Sequence, residues 1–243
     1  MIASLPMYDT PATRAANDRL WDAICDEAGL PRTQLDRTSD PHDTWLAPQM
    51  LFSQTCGMPF RTGLYGKVSL IGTPDYGVKA CPLGYYRSCI VVRSDDAREA
   101  LSAYATARLA RNDRRSQSGW AAPWQHFAQY GGFRGTVVDT GAHAASADAV
   151  LQGRADVAAL DAVTWALLLR DAPARVAGLR VLEYTSPTPG LPYITGPRQD
   201  PLPLRRAVRQ VIAALSEADR ACLMLNGLVD LSAEEYLRVP SPS

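Results

Sequence analysis

The chain has 243 residues, with 25 lysines and arginines against 25 aspartates and glutamates, and 47% of it is hydrophobic. Such a length and apolar fraction suit one large α/β domain or two modest ones, with a sizeable buried core. Balanced charge with no long basic run excludes the electrostatic footprint of a non-specific nucleic-acid binder and favours a small, discrete ligand.

In chain order, Ile2–Met7 predicts a short strand, with Pro6 pushing it toward an edge or a bulge. A helix follows, capped by Asp9 or Thr10, with Pro11 in its first position. Leu20, Trp21, Ile24 and Cys25 form its apolar stripe before Gly29. Met50–Ser53 is a second strand, running into the turn-like "QTCGMPF". "KVSLIGTPDYG" supplies a third and "YYRSCIVVRSDD" a longer fourth. A helix over Asp96–Tyr104 and a strand over Arg108–Ala110 come next. Alternation of this kind predicts an α/β fold with mostly parallel sheets.

The segment "RNDRRSQSGWAAP", Arg111–Pro123, opens a helix on which Trp120, Trp124 and Phe127 share one face. Pro123 lacks an N–H and clashes with the carbonyl four residues back, so it belongs in or near the first turn. Ser116, Gln117, Ser118 and Gly119 therefore lie at the helix start. There they either cap the helix or present hydroxyls and N–H groups to an anion.

Thr136–Val138 then reads as a buried-type strand and Asp139-Thr140-Gly141 as a turn. A helix from about Ala142 to Gln152 has Gly153 just past its end. "DVAAL" is the next strand, with Asp161 at its carboxyl end, and a helix through Trp165 and Leu168 follows. In open α/β sheets ligands bind outside the carboxyl ends of strands. Tyr8, Gln54, Thr55, Ser116, Ser118, Thr140, Gly141, His143 and Asp161 all fall at such ends. His143 and Asp161 also fit simple capping roles, and Tyr85 and Tyr86 fit an ordinary strand. Trp45, Trp120, Trp124 and Trp165 are read as core.

Cys25, Cys56, Cys81, Cys89 and Cys222 are scattered, and without a C-x-x-C pair they predict no metal site. Cys81 and Cys89 are the close pair, and whether they join is left open. No cofactor motif is present, nor a Gly-x-Ser-x-Gly elbow, a His-Glu-x-x-His helix or a phosphate-binding Gly-Lys-Ser/Thr loop. No stretch approaches the ~20 apolar residues that span a bilayer. Met1 runs into "IASLPMY" without the basic and apolar regions of a leader. A periplasmic location follows if a leader was removed, and a cytoplasmic one if the chain is whole as given.

From "SLPMYD" to about "LPYITG" the chain resembles the phosphonate/phosphate-type substrate-binding proteins of ABC transporters, which have the type II periplasmic-binding-protein fold. The most specific stretches are "NDRRSQSGW", "TGAHAASADAVLQGRADVAALDAVTW" and "GYYRSCIVVR". The resemblance implies two α/β lobes joined by two crossover segments, closing over an oxyanion. One lobe would hold residues 1–84 and 186–243, and the inserted lobe residues 85–185. It implies that Ser116, Ser118 and nearby N–H groups hold the oxyanion, with His143 a further donor and Asp161 an acceptor. Tyr8, Gln54, Thr55 and Tyr85 or Tyr86 would complete the site. Gln117 departs from the small hydroxyl residue that the family often has there. The implied partners are a small oxyanion of the phosphonate or phosphate class and an ABC permease, with no nucleic acid. The chain would not itself span a membrane, and would be a monomer, with a dimer as the alternative. The competing reading is a biosynthetic enzyme of the same fold acting on an anionic metabolite, with His143 and Asp161 as an acid–base pair or Cys56 as nucleophile.

Overall fold

The computed structural model describes residues 1–242. Its strands are β1 (Ile2–Ser4), β2 (Met50–Gln54), β3 (Ser69–Asp75), β4 (Tyr85–Tyr86), β5 (Ser88–Arg93) and β6 (Arg108–Arg111). They continue with β7 (Thr136–Asp139), β8 (Val157–Asp161), β9 (Leu179–Tyr184), β10 (Thr188–Pro189), β11 (Tyr193–Thr195) and β12 (Gly227–Val229). The helices that matter most below are α1 (Arg14–Ala28), α2 (Pro41–Leu46), α3 (Gly57–Pro59), α4 (Ala122–Ala128), α5 (His143–Leu151) and α6 (Ala162–Asp171).

These elements divide into two compact units. The first comprises Met1–Tyr85 and Pro189–Arg238, the second Tyr86–Thr188 and residues 239–242. Each unit has its own five-stranded sheet. In the first the order is β1-β2-β11-β3-β12, and in the second β7-β6-β8-β5-β9. The short strands β4 and β10 pair with each other.

The α/β character is as the sequence predicts, but the sheets are mixed rather than mostly parallel. In the first unit β1 and β2 are parallel, while β11 runs antiparallel to both β2 and β3, and β12 antiparallel to β3. In the second, β7, β6 and β8 are parallel, and β5 is antiparallel to β8 and β9. Neither β5 nor β11 is entered through a βαβ crossover; each follows closely on β4 or β10. The rule that makes crossover-linked strands parallel does not bind them.

Local chemistry explains three smaller departures. Helix α1 starts at Arg14, a turn later than predicted, because Thr13 Oγ1 accepts the Thr10 N–H at 2.8 Å and donates to the Tyr8 carbonyl at 2.6 Å. Its end is as read, with Gly29 at φ 63°. The helix expected over Asp96–Tyr104 shrinks to one 3₁₀ turn, Leu101–Tyr104. Asp96 binds both the backbone N–H and the guanidinium of Arg98, so the backbone there takes a turn instead. Strand β7 lies at the sheet edge with Thr136 and Asp139 exposed, not buried as its apolar centre suggests.

Strand alternation builds the core of the second unit. Cys89, Val91, Ala158 and Leu160 join the cluster that includes Ala147, Val150 and Trp165. Ile90, Val92, Val157 and Ala159 join the other, with Leu109, Tyr104 and Phe127. Trp120 and Trp124 pack against that second cluster, on the helical face predicted for them. Trp45 and Trp165 are buried. Cys25 and Cys89 are buried.

Ile90→Ala empties a fully buried site and is expected to cost about 2–5 kcal/mol of stability. Thr136→Ala on the exposed edge should stay within about 0.5 kcal/mol of the parent. Urea denaturation of both variants checks this; equal losses would contradict the assigned faces.

Candidate functional site

The second unit gathers its polar loops where β6, β7 and β8 end. After β6 the chain turns at Asp113, whose carboxylate accepts the Arg115 N–H at 2.6 Å. Ser116 then takes an extended backbone, φ −80° and ψ 130°, and its Oγ accepts the Gly119 N–H at 2.9 Å. It is a helix cap, as the bland reading of the sequence holds. The helix it caps does not begin as an α-helix. The Ala121 N–H reaches the Ser116 carbonyl at 3.0 Å and the Ala122 N–H that of Gln117, a π register over Gln117–Ala121 that leads into α4. Pro123 sits in the first turn of α4, where the sequence places it. Its ring would press on the carbonyl four residues back in an α register, and the wider turn relieves this. The N–H groups of residues 117–120 thus have no acceptor within the helix. Ser116, Gln117 and Ser118 are all buried.

The loop after β7 meets this turn. Arg111 bonds Asp139 at 2.8 Å and lies 4.5 Å over the Trp120 ring, tying the ends of β6 and β7 to the helix start. This ion pair holds the Asp139 carboxyl below its ordinary range. The Thr140 hydroxyl donates to the Arg111 carbonyl at 3.1 Å and meets Ser146 Oγ at 2.6 Å. Gly141, at φ 85°, supplies a left-handed step that few other residues tolerate. His143 is therefore the first residue of α5, with Nε2 2.9 Å from Ser118 Oγ. Burial lowers its pKa from 6.5 to about 4, and the Ala159 backbone only partly offsets this. The ring is neutral at pH 7, and its bond to Ser118 is made by either tautomer.

Ser116 Oγ and Ser118 Oγ stand 3.5 Å apart. Gly119 completes the turn by necessity, because a methyl there would overlap Asn112 Oδ1 and come within 3.1 Å of His143 Cε1. Asp161, at the end of β8, caps α6 through Oδ1, accepting from Val163 N at 2.7 Å and Thr164 N at 3.0 Å. Its register partner on β5 is Ser88, whose hydroxyl donates to the Ser118 carbonyl at 2.8 Å. Ser88, Arg111 and Asn112 escaped the sequence reading. Ser88 in particular lies inside a strand, where a lone serine carries no signal.

Ser116, Gln117, Ser118, Gly119 and His143 are thus brought together, with Thr140 and Gly141 shaping the approach of His143. Tyr86 is buried in the same unit. Asp161 lies in this unit too, whereas Tyr8, Gln54, Thr55 and Tyr85 belong to the first. Tyr8 packs edge-on against Tyr76 at 4.9 Å, and Gln54 Nε2 donates to Tyr76 Oη at 3.0 Å and to the Leu191 carbonyl at 3.1 Å. Tyr76 and Tyr193, whose hydroxyl burial pushes up, were not singled out in the sequence. The Thr55 N–H donates to the Pro192 carbonyl at 3.0 Å. Tyr85 donates to Glu235 at 3.0 Å, and its pKa is raised by burial first and by Glu235 second. Cys56 stands at the start of α3. Among the described residues no His, Cys, Asp and Glu cluster could hold a metal, and no helix is long and apolar enough to cross a membrane.

The sequence profile of the ABC transporter phosphonate periplasmic substrate-binding proteins matches residues 68–235, well over half of the chain. The chain belongs to this family. The matched region contains the serine turn, His143 and Asp161, and begins after Tyr8, Gln54 and Thr55. Among curated proteins none matches the sequence significantly. The fold is that of the type II periplasmic binding proteins. PhnD1 of Prochlorococcus marinus in complex with methylphosphonate superposes with a TM-score of 0.76 at 13% identity, covering 97% of this chain and 94% of that one. A binding protein component of an ABC phosphonate transporter from Pseudomonas aeruginosa gives 0.70 at 15% identity, covering 97% and 82%. A Xanthomonas citri protein bound to ATP gives 0.70 at 17% identity, covering 98% and 94%. At these identities the likeness is one of fold.

Gly119→Ala should destabilise the second unit, and Asn112→Ala in the same protein should recover most of the loss, since it removes the obstructing oxygen. Thermal melts of the two variants check this; no recovery would contradict the contact. His143 gives a pH signature. Its folded pKa of about 4 lies below the unfolded 6.5, so its contribution is complete above pH 6.5. It is lost as the pH falls toward 4, because the unfolded chain takes up the proton first. Over that window the parent should lose up to about 3 kcal/mol more stability than His143→Gln. Parallel stability–pH curves for the two proteins would contradict the buried neutral ring.

Proposed function

We propose that this protein captures a small phosphonate- or phosphate-like oxyanion at the Ser116–Gly119 turn and acts without catalysis as the solute-binding component for an ABC permease. The observation that carries this reading is the π-wound helix start. It sets two buried hydroxyls and a set of first-turn N–H groups beside a neutral histidine. Such a start favours negative charge through its N–H groups and dipole, and the hydroxyls complete a tetrahedral set of donors. With His143 neutral, Nε2–H can hold the Ser118 oxygen while the hydroxyl proton turns to the ligand. Gln117 brings a longer amide to the middle of the turn. Asp161 keeps its cap on α6, and its carboxylate is the acceptor suited to a protonated ligand oxygen or an amino group. The reading rests on the second unit alone.

The same Ser118–His143 pair also invites the reading of a nucleophile and its base. Two observations weigh against that. Besides Ser118 only the Ala159 backbone bears on the His143 ring among the described residues, so no carboxylate orients it as in a hydrolytic triad. A ring with a pKa of about 4 is also a weak base at neutral pH.

Calorimetric titration with methylphosphonate and with inorganic phosphate tests the proposal. At least one should bind, and Ser118→Ala should weaken that binding by about 1–3 kcal/mol. Phosphorus NMR of the mixture should show the ligand unchanged over hours. Unaltered affinity in Ser118→Ala, or turnover of the ligand, would contradict it.

A further inference from the structure

The Ser118 carbonyl has no helical donor, for a reason written in the sequence. In the π register Ala121 serves Ser116 and Ala122 serves Gln117, so the next donor in line, for Ser118, is residue 123. Residue 123 is proline and has no N–H. Ser118 is buried, and a buried carbonyl left without a donor is costly. The Ser88 hydroxyl fills the vacancy at 2.8 Å.

Ser88 is well fixed for this. It opens β5 and is almost fully buried. Its N–H donates to Thr185 Oγ1 at 2.9 Å and its carbonyl accepts the Thr185 N–H at 3.0 Å. The Ser118–Gly119 peptide is consequently held at both ends, its carbonyl by Ser88 and its N–H by Ser116 Oγ. Rotation of that one peptide would carry Ser118 Oγ away from His143 and turn the neighbouring N–H groups off their common direction.

We propose that Ser88 is a positioning residue for oxyanion capture: it replaces the donor that Pro123 lacks and so locks the peptide on which the binding hydroxyl of Ser118 depends. This rests on the reading of the turn as the oxyanion site. Ser88 acts through the backbone of Ser118 and contributes no ligand contact of its own.

The test uses the full chain with methylphosphonate and inorganic phosphate as probes, plus amide hydrogen exchange without ligand. Ser88→Ala should weaken binding by about five- to tenfold, the effect of one hydrogen bond, and speed exchange of the Gly119 amide. Ser88→Thr, which keeps the hydroxyl, should bind like the parent. In a Pro123→Ala background residue 123 regains an N–H, so removing the Ser88 hydroxyl should cost less than in the native sequence. Parent-like affinity and exchange in Ser88→Ala would overturn the proposal while leaving the turn as the site. Equal losses in Ser88→Thr and Ser88→Ala, or an equal cost of Ser88→Ala in both backgrounds, would also overturn it. A parent protein that binds neither probe would overturn the reading of the turn, and this inference with it.

Discussion

One proline organises the second unit's polar loops. The Pro123 ring would press on the Gly119 carbonyl in an α register, so the helix opening at Ser116 winds wide for a turn, with Ala121 bonding five residues back instead of four. The wide turn leaves its early N–H groups without helical acceptors and leaves the Ser118 carbonyl to Ser88. An ordinary α-helical start would instead direct the Ser118 carbonyl to the Ala122 N–H, and Ser88 would have no role there. The placement of Ser118 Oγ beside His143 follows from this backbone geometry.

Two groups beside the turn have their charge spent or suppressed. Arg111 is engaged by Asp139 and lies over Trp120, so its charge steadies the loop pair. His143 is held neutral by burial. Recognition at the turn would then rest on dipoles and hydroxyls, whose hydrogen bonds have direction, more than on net charge. This agrees with a chain of zero formal charge, and directional donors discriminate the shape of an oxyanion better than a flexible ammonium does.

Much of this was legible in the sequence because it depends on local rules. The α/β alternation, the Gly29 end of α1, the shared face of Trp120, Trp124 and Phe127, and the cap at Ser116 all follow from short-range periodicity or capping chemistry. What escaped depends on partners distant in the chain or on competing local bonds. Strand direction in the mixed sheets is set by where the chain enters each sheet, which no periodicity encodes. Asp96 diverted a predicted helix by binding Arg98, and the edge position of β7 exposed ends that its apolar centre had masked. The π register at Ser116 was out of reach because Pro123 signals only that an N–H is missing. Which carbonyl loses its donor, and that Ser88 compensates, emerges only when β5 lies beside the helix start.

The most direct measurement is the backbone amide NMR spectrum of the protein titrated with methylphosphonate. The amide protons of Gln117, Ser118 and Trp120 should move together and saturate with the binding isotherm, while the His143 ring stays neutral throughout. Saturable binding that leaves those amides in place, or that protonates His143 at pH 7, would contradict it.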